Sequence, residues 1–151
     1  MNSLPDRRRL LGFSEFRQQR CEQLVLRTQQ QLQPLLQELS SFDEQEAALQ
    51  SLLASHRAQV GVLDHGQLLA LLRRQAIIRR QIHVLRLERD RVDQQCRQMD
   101  QSLREQHEQL RLLQHTHGKY QRSVQQLVRA QRLEGVRREE REIEDMTGVR
   151  R

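Results

Sequence analysis

The sequence has no Trp, one Tyr and three Phe, and only two Pro and six Gly in 151 residues. Layered folds need large apolar side chains and many turns. The shortage of both excludes sandwiches, barrels and α/β folds. No apolar run approaches the ~20 residues of a membrane span. The N-terminal MNSLPDRRRLLGF has neither the apolar core nor the small-residue cleavage site of a secretory signal. A cytosolic setting is expected, in which the two cysteines, Cys21 and Cys96, stay as thiols. What is abundant is Leu, Gln, Arg and Glu, the composition of long helices.

Lysine is nearly absent too: Lys119 is the single Lys among 26 basic residues. The net charge of +6 alone suggests nucleic acid. An Arg bias of this kind fits a GC-rich coding sequence better than selection for phosphate contacts. The 20 acidic residues are interleaved with the bases and leave no clean basic face. Nucleic acid is therefore not the expected partner; steeply salt-dependent binding to duplex DNA would indicate otherwise.

One segment breaks the helical pattern, VGVLDHGQ, with Gly61 and Gly66 around Asp64. Asp64 with Gln67 three residues on forms a capping box for a following helix. At the start, Ser3 is the N-cap, Pro5 sits in the first turn and Asp6 complements the helix dipole. The spacing predicts helix 1 over about 4–60, a turn at 61–66, helix 2 over about 67–145 and a tail at 147–151.

Apolar spacing decides the architecture. In helix 1 a seam runs through Cys21, Val25, Thr28, Leu32, Leu35, Leu39, Phe42, Glu46, Leu49, Leu53, His56, Val60 and Leu63. In helix 2 it runs through Leu68, Leu71, Gln75, Ile78, Ile82, Leu85, Arg89, Val92, Cys96, Met99, Leu103, Gln106, Leu110, Leu113, His117, Tyr120, Val124 and Leu127. Alternating steps of about three and four residues, sustained over about seven heptads, define a coiled coil. Joined by a short turn, the helices fold back as a long antiparallel two-helix hairpin, all-α, with helix 2 the longer. Expected opposites are Val60 with Leu68, Leu49 with Ile78, Phe42 with Leu85, Leu35 with Val92 and Val25 with Leu103. Arg89 falls opposite Leu39 and must reach an acid or water. Pro34 removes a backbone bond inside helix 1 and predicts a kink or local loosening. At ~1.5 Å per residue the arms are roughly 85 and 120 Å long, so helix 2 overhangs over about 124–146. A thin rod of this kind has no room for a concave active site.

Site chemistry is sparse. The sequence holds no GxxxxGK[ST], GxGxxG or HExxH motif. His115 and His117, two apart, point to different faces, and His56 and His117 are far apart on the seam. Cys21 and Cys96 lie on the seam about 16 Å out of register, beyond the ~7 Å limit for a disulfide. No catalytic residue, metal ligand or cofactor is expected, and the chain reads as a non-enzyme.

Two surfaces remain. In LLRRQAIIRRQI (71–82), Leu72, Ala76 and Ile77 lie off the seam, and Val84 and Leu87 continue the off-seam run. Ile77, Val84 and Leu87, with Arg73, Arg74 and Arg80 beside them, suit a docking stripe. The other reading is chance scatter in a Leu-rich helix. In the overhang, Val128, Leu133, Val136 and Ile143 alternate with Arg129, Arg132, Arg137, Arg138, Arg141 and acids from Glu134 to Asp145. A lone helix of this kind is marginal in water; it is either a frayed tail or a segment ordered inside a partner's socket.

LLRRQAIIRRQI, followed some forty residues on by GKYQR (118–122), resembles the SpaM/InvI group of type III secretion proteins. That group belongs to the SctO (YscO) stalk proteins of the injectisome, relatives of flagellar FliJ. The likeness covers most of the chain, keeps Gly118 inside helix 2, and meets one departure, Pro34. It implies a stalk like the central shaft of rotary ATP synthases. The end bearing the termini would enter the pore of the hexameric secretion ATPase. The other end would reach the cytoplasmic ring of the export gate, SctV, and secretion chaperones are further partners. The setting implied is the bacterial cytoplasm, peripheral at the inner-membrane apparatus, without membrane insertion. On this resemblance, Leu72, Arg73, Arg74, Ile77, Arg80, Val84 and Leu87 meet the gate or chaperones. Arg129, Arg132, Leu133, Val136, Arg137, Arg138 and Arg141 meet the ATPase pore. The competing reading is a coiled-coil adaptor or chaperone escort without an ATPase partner.

Overall fold

The computed structural model describes residues 3–58, 61 and 63–149. Two helices account for almost all of them: α1, Leu4–Ala58, of 55 residues, and α2, His65–Val149, of 85. No strand occurs among the described residues. Both starts are capped as the sequence demands. The Asp64 carboxylate accepts the Gln67 N–H at 2.7 Å while the Gln67 side chain accepts the Asp64 N–H at 3.3 Å. These reciprocal bonds satisfy two orphan donors of α2. The Ser3 hydroxyl accepts the Asp6 N–H at 3.4 Å and donates to the Asp6 carboxylate at 2.6 Å.

Two boundaries differ from expectation. Helix 2 starts at His65 rather than 67, because the cap at Asp64 makes the next residue the first helical one. It also runs through Thr147 and Gly148 to Val149. There the Thr147 hydroxyl donates back to the Ile143 and Glu144 carbonyls, at 3.1 and 2.9 Å, which satisfies the hydroxyl within the helix. α1 passes through Pro34 unbroken.

The chain divides into two compact units. A hairpin unit comprises Leu26–Arg104, and a termini unit joins Met1–Val25 to Glu105–Arg151. In the hairpin unit, Leu53, Ile78 and Ile82, each 5% exposed, form the core, with Leu49 packed against them. Val92 and Cys96 continue this buried line along α2. Arg86 donates to Glu46 at 2.6 Å and Arg89 to Asp43 at 2.7 Å, so the helices run antiparallel here. Arg89 does reach an acid, one turn along α1 from its expected opposite, Leu39, as a long guanidinium stem permits. That pairing raises the Arg89 pKa, first through the hydrogen bond to Asp43 and then through its charge.

In the termini unit the helices are again antiparallel. Arg7 donates to the Ser123 hydroxyl and carbonyl at 2.9 and 3.2 Å, and the Cys21 thiol lies 3.7 Å from the Gln106 carbonyl. Cys21, Val25 and Ser14 are buried. Both cysteines are free thiols.

The seam expected from 3.5-residue spacing is buried or half-buried at nearly every described position. Leu68 is a correction: it is 41% exposed, because α1 ends at Ala58 and, among the described residues, no helix faces the first turn of α2. Its expected opposite, Val60, lies outside the described residues. The seam also extends further N-terminal than Cys21, through Arg7, Leu11, Ser14 and Gln18, a polar stretch that apolar counting passes over.

Candidate protein-docking surfaces

The hairpin unit carries an open groove of about 500 Å³ lined by Gln45, Leu49, Ile77, Arg80, Gln81, Val84 and Leu85. It exists because α2 places Ile77 and Val84, seven residues apart, on one outward face. Leu49 and Leu85, half-buried at the edge of the seam, form its floor. Ile77 is 58% exposed, and Arg80 makes no ion pair with any described residue, so its guanidinium is free for an acid. Of the residues expected on this face, Ile77, Arg80 and Val84 come together in the groove. Leu72, Arg73 and Leu87 are exposed and lie outside the lining of this groove. Arg74 lines a separate hollow of about 280 Å³ with Leu63, Gln67, Ala70 and Leu71. The groove is a cleft with an apolar floor and a cationic rim, suited to a side chain from an acidic, amphipathic partner.

The termini unit carries the second surface. Every residue of α2 from 129 to 148 is exposed. The uncovered stretch was expected to begin at 124, but Val124, Leu127 and Val128 are half-buried. Arg7 bonds to Ser123, so Leu4, one turn nearer the start of α1, still covers the next turn of α2. Arg129, Arg132, Leu133, Val136, Arg137, Arg138 and Arg141 all project into solvent. Among the described residues the one ion pair in this stretch is Arg138 with Glu134, at 3.6 Å. Leu133 lies nine residues beyond Val124, about two and a half turns. Leu133 therefore points nearly opposite to the face that packs on α1, and Val136 and Ile143, twelve and nineteen residues beyond Val124, lie about 100–120° round the helix from that face. A partner covering Leu133 approaches from the side away from α1.

A third feature escaped the sequence reading. Phe13 and Phe16 are 61% and 59% exposed, and the Arg17 guanidinium stacks over Phe13 at 5.8 Å. Both lie off the positions 7, 11, 14, 18 that face α2, a register that the polar Arg7, Ser14 and Gln18 conceal from an apolar count. No helix of the structure is long and apolar enough to cross a membrane; this holds for the described residues.

Fold and surfaces define an antiparallel two-helix coiled-coil protein that offers apolar stripes edged with arginine. The family model of the Salmonella surface presentation of antigen gene type M protein matches residues 6–147, and the chain belongs to that family. It is thereby a type III secretion-related protein. No curated protein sequence and no solved structure matches the chain.

Proposed function

We propose that the protein is a non-catalytic stalk of a type III secretion export apparatus, with its termini unit in the pore of the hexameric secretion ATPase. In this reading the groove-bearing hairpin unit contacts the export gate or secretion chaperones, at the cytoplasmic face of the inner-membrane apparatus. The observation that carries it is the run of α2 from 129 to 148, fully helical yet uncovered by any of the described residues. Isolated helices of this length and composition are marginal in water, so a socket that covers its apolar stripe is the natural complement. Mixed charge suits the role. One asymmetric shaft inside a six-fold ring touches a few subunits at a time, and many weak polar contacts let it shift between equivalent positions.

Charge reversal of Arg137, Arg138 and Arg141 to Glu tests the assignment. These side chains make no ion pair with any described residue except Arg138 with Glu134, so helicity by circular dichroism should persist. Binding to the ATPase, and stimulation of its hydrolysis, should fall at least tenfold. Undiminished stimulation by the triple variant removes the pore assignment and leaves the adaptor reading. For the hairpin unit, Ile77→Asp with Leu87→Asp should impair binding to the SctV ring or to chaperones in a pull-down, with the fold intact.

A further inference from the structure

We propose that residues 9–20 of α1 form a second docking strip, anchored by Phe13 and Phe16, for an acidic protein wall carrying apolar sockets. This rests on the stalk reading, in which the wall is the ring lining around the termini unit. In this stretch Arg7, Leu11, Ser14, Gln18 and Cys21 turn toward α2 and are buried or half-buried. Arg9, Phe13, Phe16 and Arg20, at steps of four, three and four, occupy the opposite side. The chain owns three Phe, and two of them are spent here, each about 60% exposed. Exposed aromatic pairs flanked by Arg are the side-chain combination enriched at the energetic centres of protein interfaces. Arg17 over the Phe13 ring holds that ring in place before any partner arrives.

A second observation points the same way. Gly12 lies inside α1, where glycine weakens a helix. Nothing stands within 4 Å of the Cβ it lacks, so no packing inside the chain requires the missing side chain. It leaves a flat strip of backbone one residue before Phe13. The same pairing recurs in this unit at Gly135, also with nothing within 4 Å, between exposed Leu133 and Val136. A flat strip beside two phenyl rings fits close approach by a rigid surface. Fluid lipid would flow around a side chain at 12 and has no need of its absence. Charge sets the partner's sign. Arg8, Arg9, Arg17 and Arg20 are all exposed, whereas Asp6 is engaged by Ser3 and Glu15 lies to one side. The complementary wall is therefore rich in carboxylates.

The test uses the full chain and the purified hexameric secretion ATPase, with the double variant Phe13→Ser/Phe16→Ser and, separately, Gly12→Gln. Both should bind the ring at least tenfold more weakly. Gly12→Gln should melt at or above the wild-type temperature, an opposite-signed pair of effects that a merely structural role does not produce. Wild-type binding with both variants indistinguishable from it overturns the strip and spares the stalk reading. A wild type that does not bind the ring overturns both. A parallel arm uses phosphatidylglycerol–phosphatidylethanolamine vesicles. Vesicle binding lost in the variants, with ring binding unchanged, overturns the protein wall in favour of an anionic lipid surface.

Discussion

Ile78, Ile82 and Leu53 show how little of this protein is interior: they are the core of the hairpin unit, yet no side chain among the described residues is less than 2% exposed. Each buried residue therefore carries a large share of the cohesion. Ile82→Ala should lower unfolding free energy by about 2–3 kcal/mol, toward the low end for a core truncation because a two-helix seam can partly collapse. Urea unfolding followed by helix circular dichroism measures it. Polar seam residues act in the other direction. Ser14 Oγ and Gln106 Oε1 are buried without a hydrogen-bond partner. Gln106→Leu should raise stability by about 1 kcal/mol in the same assay, since it removes an unpaired acceptor and adds apolar contact. The cysteines behave as small apolar residues. Burial pushes the Cys21 and Cys96 thiols above the ordinary 9.0, helped by Glu22 at Cys21 and by Asp93 and Glu38 at Cys96. A raised folded-state value favours the neutral thiol in the fold. That contribution is intact below pH 9.0 and is lost as pH rises through the folded values. Folded protein should thus react slowly with a thiol reagent at pH 8, and its melting temperature should decline above about pH 9.

At the scale of the helix, Pro34 and Asp64 mark opposite contributions. Pro34 sits mid-α1 and removes one backbone donor, whereas Asp64 supplies an acceptor to the first turn of α2. Pro34→Ala should stabilise by up to about 3 kcal/mol, and Asp64→Ala should cost about 1 kcal/mol. Thermal melts of the two variants should move in opposite directions. The two helices were legible in the sequence because burial in a two-helix seam has a single period. Leu32, Leu35, Leu39 and Phe42 on α1, and Ile78, Ile82, Leu85 and Val92 on α2, follow it without exception. Legibility ended where the seam turned polar. Arg7, Ser14 and Gln18 pack on α2 although an apolar count ignores them, and without that face the outward direction of Phe13 and Phe16 could not be read. Of the candidate surface residues, Ile77, Arg80 and Val84 could be grouped from spacing. The groove floor could not, because Leu49 comes from the other helix.

The whole molecule holds two kinds of helix, one made stable by its neighbour and one left without any. From residue 129 to 148 α2 contributes no buried side chain, so removal of this stretch withdraws nothing from the seam of the described residues. Truncation after Val128 should change the melting temperature of the rest by no more than about 2 °C, the range of surface substitutions that touch no packed group. The ellipticity lost should exceed that of a frayed terminus if the segment is helical in the free chain, and should be small if a partner orders it. The Arg pattern sets a second consequence. Removal takes seven Arg, the whole Leu133–Val136–Ile143 stripe and the acids Glu134 through Asp145, and leaves the groove at Ile77 and Val84 untouched. The truncated protein should lose ATPase stimulation while still binding its hairpin-unit partner. Loss of both activities together would mean that the two surfaces serve a single partner, and the division of labour between the units would have to be abandoned.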